Sequence, residues 1–186
     1  MSRAFVDDDS AQAGVQDLPE IPLPLPPGAR NYLTPEGAAA LASELAFLLR
    51  GERPRLAGAL ARAATGAAGE AEALRRSLAE LDRRASYLGR MSALAEVVGP
   101  PSGPPGRVVF GATARVRGAD GRERAWRIVG VDESDPERGL VGWSSPLARA
   151  LVGRRAGETA LVRLPEGEEH LEILGVEYPE ADAGLP

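Results

Sequence analysis

The sequence predicts an α+β protein, in which an antiparallel α-helical coiled-coil hairpin is followed by a β-rich domain. Three observations predict this class. Leucines recur at helical spacing as far as residue 88, and apolar residues alternate with polar ones after residue 106. A proline- and glycine-rich run, 99-GPPSGPPG-106, separates the two patterns. We therefore predict four regions: a tail over residues 1–30, a helical hairpin over 31–98, a linker over 99–106 and a β-rich domain over 107–180.

The composition is typical of a globular chain without metal or thiol chemistry. Of its 186 residues, 44% are apolar, which is enough to fill a core. There is no cysteine and one histidine, His170, so we expect no metal centre and no cysteine nucleophile. No apolar run reaches the roughly 18 residues of a membrane span. The net charge of −5 disfavours strong binding to duplex DNA. We expect a cytoplasmic protein that does not contact membranes.

Residues 1–30 form the predicted tail. They contain five acidic residues against two arginines, and the segment 19-PEIPLPLPPGA-29 is rich in proline. Proline lacks the backbone N–H that helices and inner strands require, and proline-rich segments favour an extended conformation. We therefore expect the tail to be extended, disordered and mobile.

The first helix is predicted to begin at 34-TPEG-37. Thr34 can cap the free amides, Pro35 suits the first helical position, and Glu36 complements the positive end of the helix. The leucines of the apolar face follow at near-helical spacing: Leu41, Leu45, Leu48, Leu49, Leu56 and Leu60. Pro54 is expected to kink this helix, because its ring clashes with the preceding turn.

The second helix is predicted from apolar residues at alternating steps of four and three, the spacing of a coiled coil. They are Leu74, Leu78, Leu81, Ala85 and Leu88. Gly66 and Gly69 lie between the two helical patterns and favour a turn. We therefore expect the helices to fold back on each other, with residues 61–73 at or near the tip.

The β-rich domain is predicted from a period of two beyond the linker. Residues 112–118 and 123–131 flank the turn 118-GADG-121, as in a β-hairpin. A short helix is predicted over 145–154, with Ser145 as its cap and Pro146 at its first position. Further strands are predicted over residues 139–143, 158–164 and 170–178.

Several of these segments, in this order, resemble the Gre family of bacterial transcript-cleavage factors, GreA and GreB. The similarity spans roughly residues 31–178, and its most specific segment is 144-SSPLARALVGRRAGE-158. The other similar segments are 32-YLTPEG-37, 52-ERP-54, 81-LDRRASYLGRMSALAEVV-98 and 110-FGATARV-116. The chain is thereby identified as a bacterial transcription elongation regulator rather than an enzyme in its own right.

The resemblance implies a fold and a partner. In the family, a coiled-coil hairpin precedes a C-terminal domain with an FKBP-like fold. The C-terminal domain docks at the rim of the RNA polymerase secondary channel, and the hairpin tip lies beside the catalytic magnesium and the nascent RNA. The segment similar to the family's docking segment contains Ser144, Ser145, Pro146 and Arg149. These four residues are therefore the expected polymerase contacts.

The resemblance also implies a difference at the tip. Family members carry an Asp and a Glu there that help to hold a second magnesium ion, because this hard cation prefers oxygen ligands. Alignment without gaps from 82-DRR-84 places that motif on residues 63–69, with Ala64 at the Asp position and Ala67 at the Glu position. Alanine cannot bind a metal. We therefore expect polymerase binding without transcript cleavage, no catalytic residue and no cofactor of this chain's own.

Two interpretations of the tip remain open. The tip residues are Ala64, Thr65, Gly66, Ala67, Gly69, Glu70 and Glu72. The two glutamates can be solvent-facing helix charges, or they can be displaced ligands of the polymerase magnesium in an active cleavage factor. Residues two apart on a helix point in different directions, so joint binding of one ion requires a non-helical tip.

Two further alternatives concern other parts of the chain. Four arginines of the second helix can line a route past RNA or polymerase acids, or can be solvated: Arg75, Arg76, Arg83 and Arg84. The FKBP-like half can also act as a prolyl isomerase or chaperone. The aromatic content of 4% argues against the aromatic-lined pocket of such proteins.

Overall fold

The computed structural model describes residues 18–63, 68–100, 106–165 and 167–179. Over these ranges the protein is α+β, with helices in the N-terminal part and a β-sheet domain in the C-terminal part. No helix in the described ranges is long and apolar enough to cross a membrane. The contacts divide the chain into a helical unit, Met1–Leu23 with Leu41–Ala93, and a β-rich unit, Pro24–Ala40 with Leu94–Pro186.

This division differs from the one that the sequence predicts. Residues 31–40 and 94–98, predicted as parts of the hairpin, belong to the β-rich unit. The reason is a pair of short parallel strands, in which β1 (Asn31–Leu33) pairs with β2 (Ala95–Val97). Residues 101–105 of the predicted linker lie outside the described ranges.

The described ranges contain three long helices before the sheet. Helix α1 (Pro35–Phe47) is followed by a π-helical turn at Leu48–Glu52 and by α2 (Arg53–Ala63). The π turn precedes Pro54, which cannot donate the hydrogen bond that a regular helix requires there. The irregularity expected at Pro54 therefore takes the form of this π-helical turn, which changes the helical pitch. Helix α3 (Ala68–Ala93) begins before the first leucine of the predicted pattern.

Helices α2 and α3 pack against each other within the helical unit. The buried residues of these two helices, called the helical seam below, include Leu56, Ala63, Ala71, Leu81, Ala85 and Leu88. Two ion pairs connect α3 with the preceding helical segments: Arg53 with Asp82 at 2.7 Å, and Arg84 with Glu44 at 2.8 Å. All four charged side chains are more than two-fifths exposed, so each pair contributes little to stability.

The β-rich unit contains a five-stranded sheet in the order β5-β4-β3-β7-β6. Its strands are β3 (Thr113–Arg117), β4 (Glu123–Val129), β5 (Leu140–Gly142), β6 (Thr159–Leu164) and β7 (Gly167–Glu177). Neighbouring strands are antiparallel except β4 and β5. The turn between β3 and β4 has Gly121 at φ 75°, a conformation that glycine adopts without strain. The predicted β-hairpin and the three further predicted strands are confirmed.

One hydrophobic core organises this unit. Helix α4 (Pro146–Leu151) contributes the buried Ala148 and Leu151, and it packs on β5 and β6. The sheet and the segment before it supply the remaining buried residues: Val108, Ala114, Val116, Ile128, Val141, Ala160, Val162, Leu171 and Ile173. The short helix at the predicted place is thus part of the core.

A carboxylate fixes the start of α1 within the β-rich unit. Glu133 accepts hydrogen bonds from the backbone N–H of Thr34 at 2.9 Å, from the Thr34 hydroxyl at 2.5 Å and from the Gly130 N–H at 3.1 Å. The Thr34 hydroxyl in turn accepts from the Gly37 N–H, as an N-cap does. A Cβ at position 37 would lie 2.1 Å from the Glu133 carboxyl carbon, so a larger residue there would displace this carboxylate from its hydrogen bonds. The predicted cap at Thr34 is confirmed.

Candidate functional site

The segment at residues 144–149 forms the first turn of α4 and the loop before it. Ser145 caps the helix, because its side-chain oxygen accepts a hydrogen bond from the Ala148 N–H at 3.1 Å. Pro146 occupies the first helical position, where its missing N–H costs nothing. The sequence predicted both roles correctly. Ser145 is therefore a structural residue whatever else it contacts.

The same segment presents other side chains to solvent. Pro146 and Arg149 are exposed, and Ser144 is partly buried. Within the described residues Arg149 has no ion pair, although it lies among other arginines and Glu158 around a surface depression. Its guanidinium is thus available to an acidic partner. The structure keeps the four predicted docking residues together on one turn of the chain.

An apolar cavity of about 320 Å³ lies beside this turn. It is lined by Tyr32, Phe110, Ile128, Trp143, Arg149 and Val152. The Tyr32 ring meets the Trp143 ring edge-on, with centroids 5.6 Å apart. The indole Nε1 of Trp143 is buried and has no hydrogen-bond partner in the described part of the chain. The lining is thus mainly apolar, with the single cation of Arg149.

Sequence reasoning did not find this cavity. The low aromatic content of 4% argues against an aromatic-lined pocket. Three of the eight aromatic residues nevertheless meet here, because β1 brings Tyr32 to the same unit as Phe110 and Trp143. The average composition of a chain does not describe how its aromatic residues cluster.

The tip is described only at its flanks. Ala64, Thr65, Gly66 and Ala67 lie outside the described residues. Gly69, Glu70 and Glu72 belong to the first two turns of α3. Glu70 is exposed, and Glu72 pairs with Arg75 of the same helix at 3.3 Å.

The described acids do not fit the magnesium site that the family resemblance implies. Glu70 and Glu72 are two residues apart on a helix, so their carboxylates leave the axis in different directions. No group of three or more His, Asp or Glu side chains in the described ranges can hold a metal ion. The two glutamates therefore cannot both coordinate one metal ion while α3 keeps this conformation.

The four arginines singled out on α3 have different surroundings. Arg84 pairs with Glu44 and lies 5.2 Å from the centre of the Tyr87 ring. Arg75 pairs with Glu72. Arg76 is exposed, and the Nε of Arg83 is buried without a hydrogen-bond partner among the described residues. They therefore do not form one uniform basic stripe.

Comparison with known proteins relates the chain to one family. Residues 103–178 match the family described as transcription elongation factor, GreA/GreB, C-terminal. The transcription elongation factor GreB of Neisseria meningitidis serogroup A is 39% identical over 162 residues, covering 82% of this chain and 97% of the relative. The transcription elongation factor GreA of Helicobacter hepaticus is 37% identical, covering 81% and 95%. Coverage of this extent includes residues of both units.

A solved structure is similar as well. The prokaryotic transcription elongation factor GreA/GreB from Nitrosomonas europaea is 21% identical to this chain. The match covers 80% of this chain and all of the other, with a TM-score of 0.37.

Proposed function

Because this chain belongs to the GreA/GreB family of transcription elongation factors, we propose that it binds bacterial RNA polymerase at the secondary channel without stimulating cleavage of the transcript. In this proposal the helical unit is an antiparallel coiled-coil hairpin that enters the channel. The β-rich unit, with an FKBP-like fold, docks at the channel rim. The protein is a regulator, and any cleavage chemistry belongs to the polymerase.

The observation that carries the non-cleaving part is the chemistry of the tip. Ala64 and Ala67 stand at the two positions that align with the family's metal-holding acids. Glu70 and Glu72, the nearest substitutes, diverge on α3, and Glu72 already pairs with Arg75. A second magnesium ion requires convergent oxygen ligands. The described part of the tip supplies no pair of carboxylates that converge, so we expect this chain to hold no second magnesium ion and to activate no water.

The docking part is supported by the first turn of α4. Ser145 holds the turn in shape, while Pro146 and Arg149 face solvent and can contact a partner. The neighbouring aromatic cavity offers an apolar contact next to the Arg149 charge. Interfaces gain most of their affinity from such buried aromatic and arginine contacts. Co-purification with core RNA polymerase is the direct test of this partner.

The test of the whole proposal uses a backtracked RNA polymerase complex with magnesium. The unmodified protein should bind and leave the cleavage rate at the polymerase's own level. The double variant Ala64→Asp with Ala67→Glu should add stimulation, because it restores both carboxylates on an intact scaffold.

The matched control is Glu70→Ala with Glu72→Ala in the natural sequence. If the unmodified protein stimulates cleavage and this control abolishes it, the displaced-ligand interpretation is correct and the non-cleaving proposal is wrong. If neither protein stimulates cleavage while both bind polymerase, the proposal stands.

A second candidate function is favoured by the aromatic cavity. A ring-lined pocket of about 320 Å³ suits a proline-containing peptide. The β-rich unit would then act as a prolyl isomerase or chaperone. In an assay with a proline tetrapeptide, the unmodified protein should accelerate isomerisation and Trp143→Leu should not. A rate equal to the uncatalysed one for both proteins would exclude the isomerase.

A further inference from the structure

Two depressions on the surface of the β-rich unit meet at Arg149 and Val152. One is the aromatic cavity of about 320 Å³ around Tyr32 and Trp143. The other has a volume of about 420 Å³, and we call it the arginine depression. Because Arg149 and Val152 line both depressions, the two are neighbours on one surface. Each volume lies within the range of about 300–1,000 Å³ that small-molecule sites occupy.

The arginine depression concentrates positive charge in a chain whose net charge is −5. Its described lining includes Arg107, Arg149 and Arg154 but only one carboxylate, that of Glu158. Arg154 lies 4.0 Å from Glu158, and both side chains are about half exposed, so this ion pair is weak. Arg107 and Arg149 have no ion pair within the described residues. Two guanidiniums are therefore available to an external anion.

Hydrogen bonds hold two of these arginines in fixed positions. The Val108 N–H donates to the Arg154 carbonyl at 2.8 Å, and the Gly153 N–H donates to the Val108 carbonyl at 2.7 Å. The Tyr178 hydroxyl donates to the Arg107 carbonyl at 2.7 Å, and the Arg107 guanidinium donates to the Gly153 carbonyl at 3.4 Å. Arginines that extend from a hydrogen-bonded backbone lose less conformational entropy when a ligand binds.

The aromatic cavity supplies a different chemistry beside these cations. The centroid of the Tyr32 ring lies 5.6 Å from that of Trp143 and 6.3 Å from that of Phe110. All three side chains are partly exposed, so a ligand can reach them. Val152, at the border of the two depressions, is 47% exposed and extends the apolar surface. A flat group can stack here, as nucleic-acid bases stack on aromatic side chains.

This combination favours a ligand with a flat ring at one end and several negative charges at the other. Arginine stays positively charged at physiological pH and binds phosphate oxygens through two parallel hydrogen bonds. A triphosphate places its charges on adjacent groups, which matches several arginines in one depression. The three rings line one cavity, which suits a single base rather than the successive bases that a strand stacks on its protein.

We propose that the β-rich unit binds a nucleoside triphosphate, with the base in the aromatic cavity and the phosphates on Arg107, Arg149 and Arg154. The nucleotide is bound without chemical change. Its binding does not depend on RNA polymerase, and the test uses the protein alone. A bound nucleotide also competes with the polymerase for Arg149, a consequence that rests on the docking proposed above.

The first test compares three ligands by isothermal titration calorimetry of the full chain in magnesium-free buffer. ATP has a base and phosphates, tripolyphosphate has phosphates alone, and adenosine has no phosphate. ATP should bind about tenfold more tightly than tripolyphosphate, because one base stacks on the rings. Adenosine should bind more weakly than ATP. Equal affinities for ATP and tripolyphosphate, or no saturation by ATP at millimolar concentration, would overturn the proposal. Tighter binding of a single-stranded RNA oligonucleotide than of ATP would overturn it too.

The second test removes two of the arginines. Arg107→Gln with Arg154→Gln should weaken ATP binding by about tenfold or more, because the phosphates lose charge-assisted hydrogen bonds. Its matched control is Arg122→Gln with Arg138→Gln, which removes the same charge from two exposed arginines elsewhere in the β-rich unit. The control should have a much smaller effect. Equal losses for the two double variants would show that the phosphates do not lie in the arginine depression.

The third test addresses the base. Tyr32→Leu keeps the cavity wall apolar but removes one ring, so the affinity for ATP should fall toward that for tripolyphosphate. Val152→Glu changes an exposed side chain and places a carboxylate between the two depressions, so it should also weaken ATP binding. Val152→Gln, which has the same size without the charge, is the matched control. If Val152→Glu is folded and binds ATP as tightly as Val152→Gln, the ligand does not cross this border and the proposal is wrong.

Discussion

The helical unit and the β-rich unit are held together in different ways. In the helical unit most buried residues keep 6–9% of their surface exposed, as Leu56 and Leu81 do, although Leu88 and Met91 near the end of α3 are almost completely buried. In the β-rich unit Ile128, Leu151 and Ile173 are completely buried. The helices are joined by a thin seam and exposed ion pairs, whereas the sheet closes over a continuous core. We infer that the β-rich unit is the stable platform and that the helical unit is the more easily deformed part.

The largest expected difference between the units comes from core truncation. Ile173→Ala should destabilise the β-rich unit by about 2–5 kcal/mol, because it opens a cavity in a closed core. Leu81→Ala in the helical seam should cost less, because the neighbouring helix can relax and water can enter. Urea unfolding distinguishes the two units, because tryptophan fluorescence follows the β-rich unit and circular dichroism follows the helices. Equal losses for the two variants would contradict the comparison.

The next effect concerns the joint at the start of α1. Glu133→Ala removes the acceptor of three hydrogen bonds and should cost about 1–3 kcal/mol, because the donors of Thr34 and Gly130 lose their partner. Glu137→Ala is the matched control, since Glu137 is an exposed acid of the same loop region. Thermal unfolding measured by calorimetry gives both values. A Glu133 variant as stable as the control would show that the joint is dispensable.

Two substitutions on and before α4 distinguish a residue needed for folding from one needed for docking, with a smaller expected change in stability. Ser145→Ala should lower the stability of the β-rich unit by about 1 kcal/mol, because the helix loses its cap. Arg149→Gln should leave stability unchanged, since Arg149 is exposed and has no ion pair among the described residues. It should weaken binding to core RNA polymerase. If Arg149→Gln binds as tightly as the parent protein, this arginine has no docking role.

The smallest effect tests the ion pairs of the helical unit. A double-mutant cycle of Arg53→Gln and Asp82→Asn should give a coupling energy of about 0.2–1 kcal/mol, the range of exposed pairs. The coupling should shrink at 1 M salt, where charges are screened beyond about 3 Å. A coupling that persists at high salt would mean that the pair is better shielded than its exposure indicates.

Sequence reasoning succeeded where the signal is local. The alternating steps from Leu74 to Leu88 predicted α3, and Ser145 with Pro146 predicted the start of α4. Each of these patterns lies within one element and reflects helical geometry. The turn between β3 and β4 was found for the same reason, since glycine at position 121 permits the required positive φ.

Sequence reasoning failed where distant residues meet. Strands β1 and β2 have three residues each, too few to show alternation, and they pair across 64 positions. Thr34 and Glu133 are 99 residues apart, and nothing near either one indicates the other. The aromatic cavity is likewise lined by residues that are far apart in the sequence. Such contacts are consequences of the whole fold, so a single sequence read locally does not contain their signal.

The order in which the chain is synthesised gives the β1–β2 pairing a further consequence. β1 leaves the ribosome 64 residues before its partner strand, and Thr34 leaves it 99 residues before Glu133. At about 5–20 residues per second, the second interval lasts roughly 5–20 s. The helical segments can fold during this delay, whereas β1 cannot. The nascent chain therefore carries β1 without its partner strand while 64 of its 186 residues are synthesised.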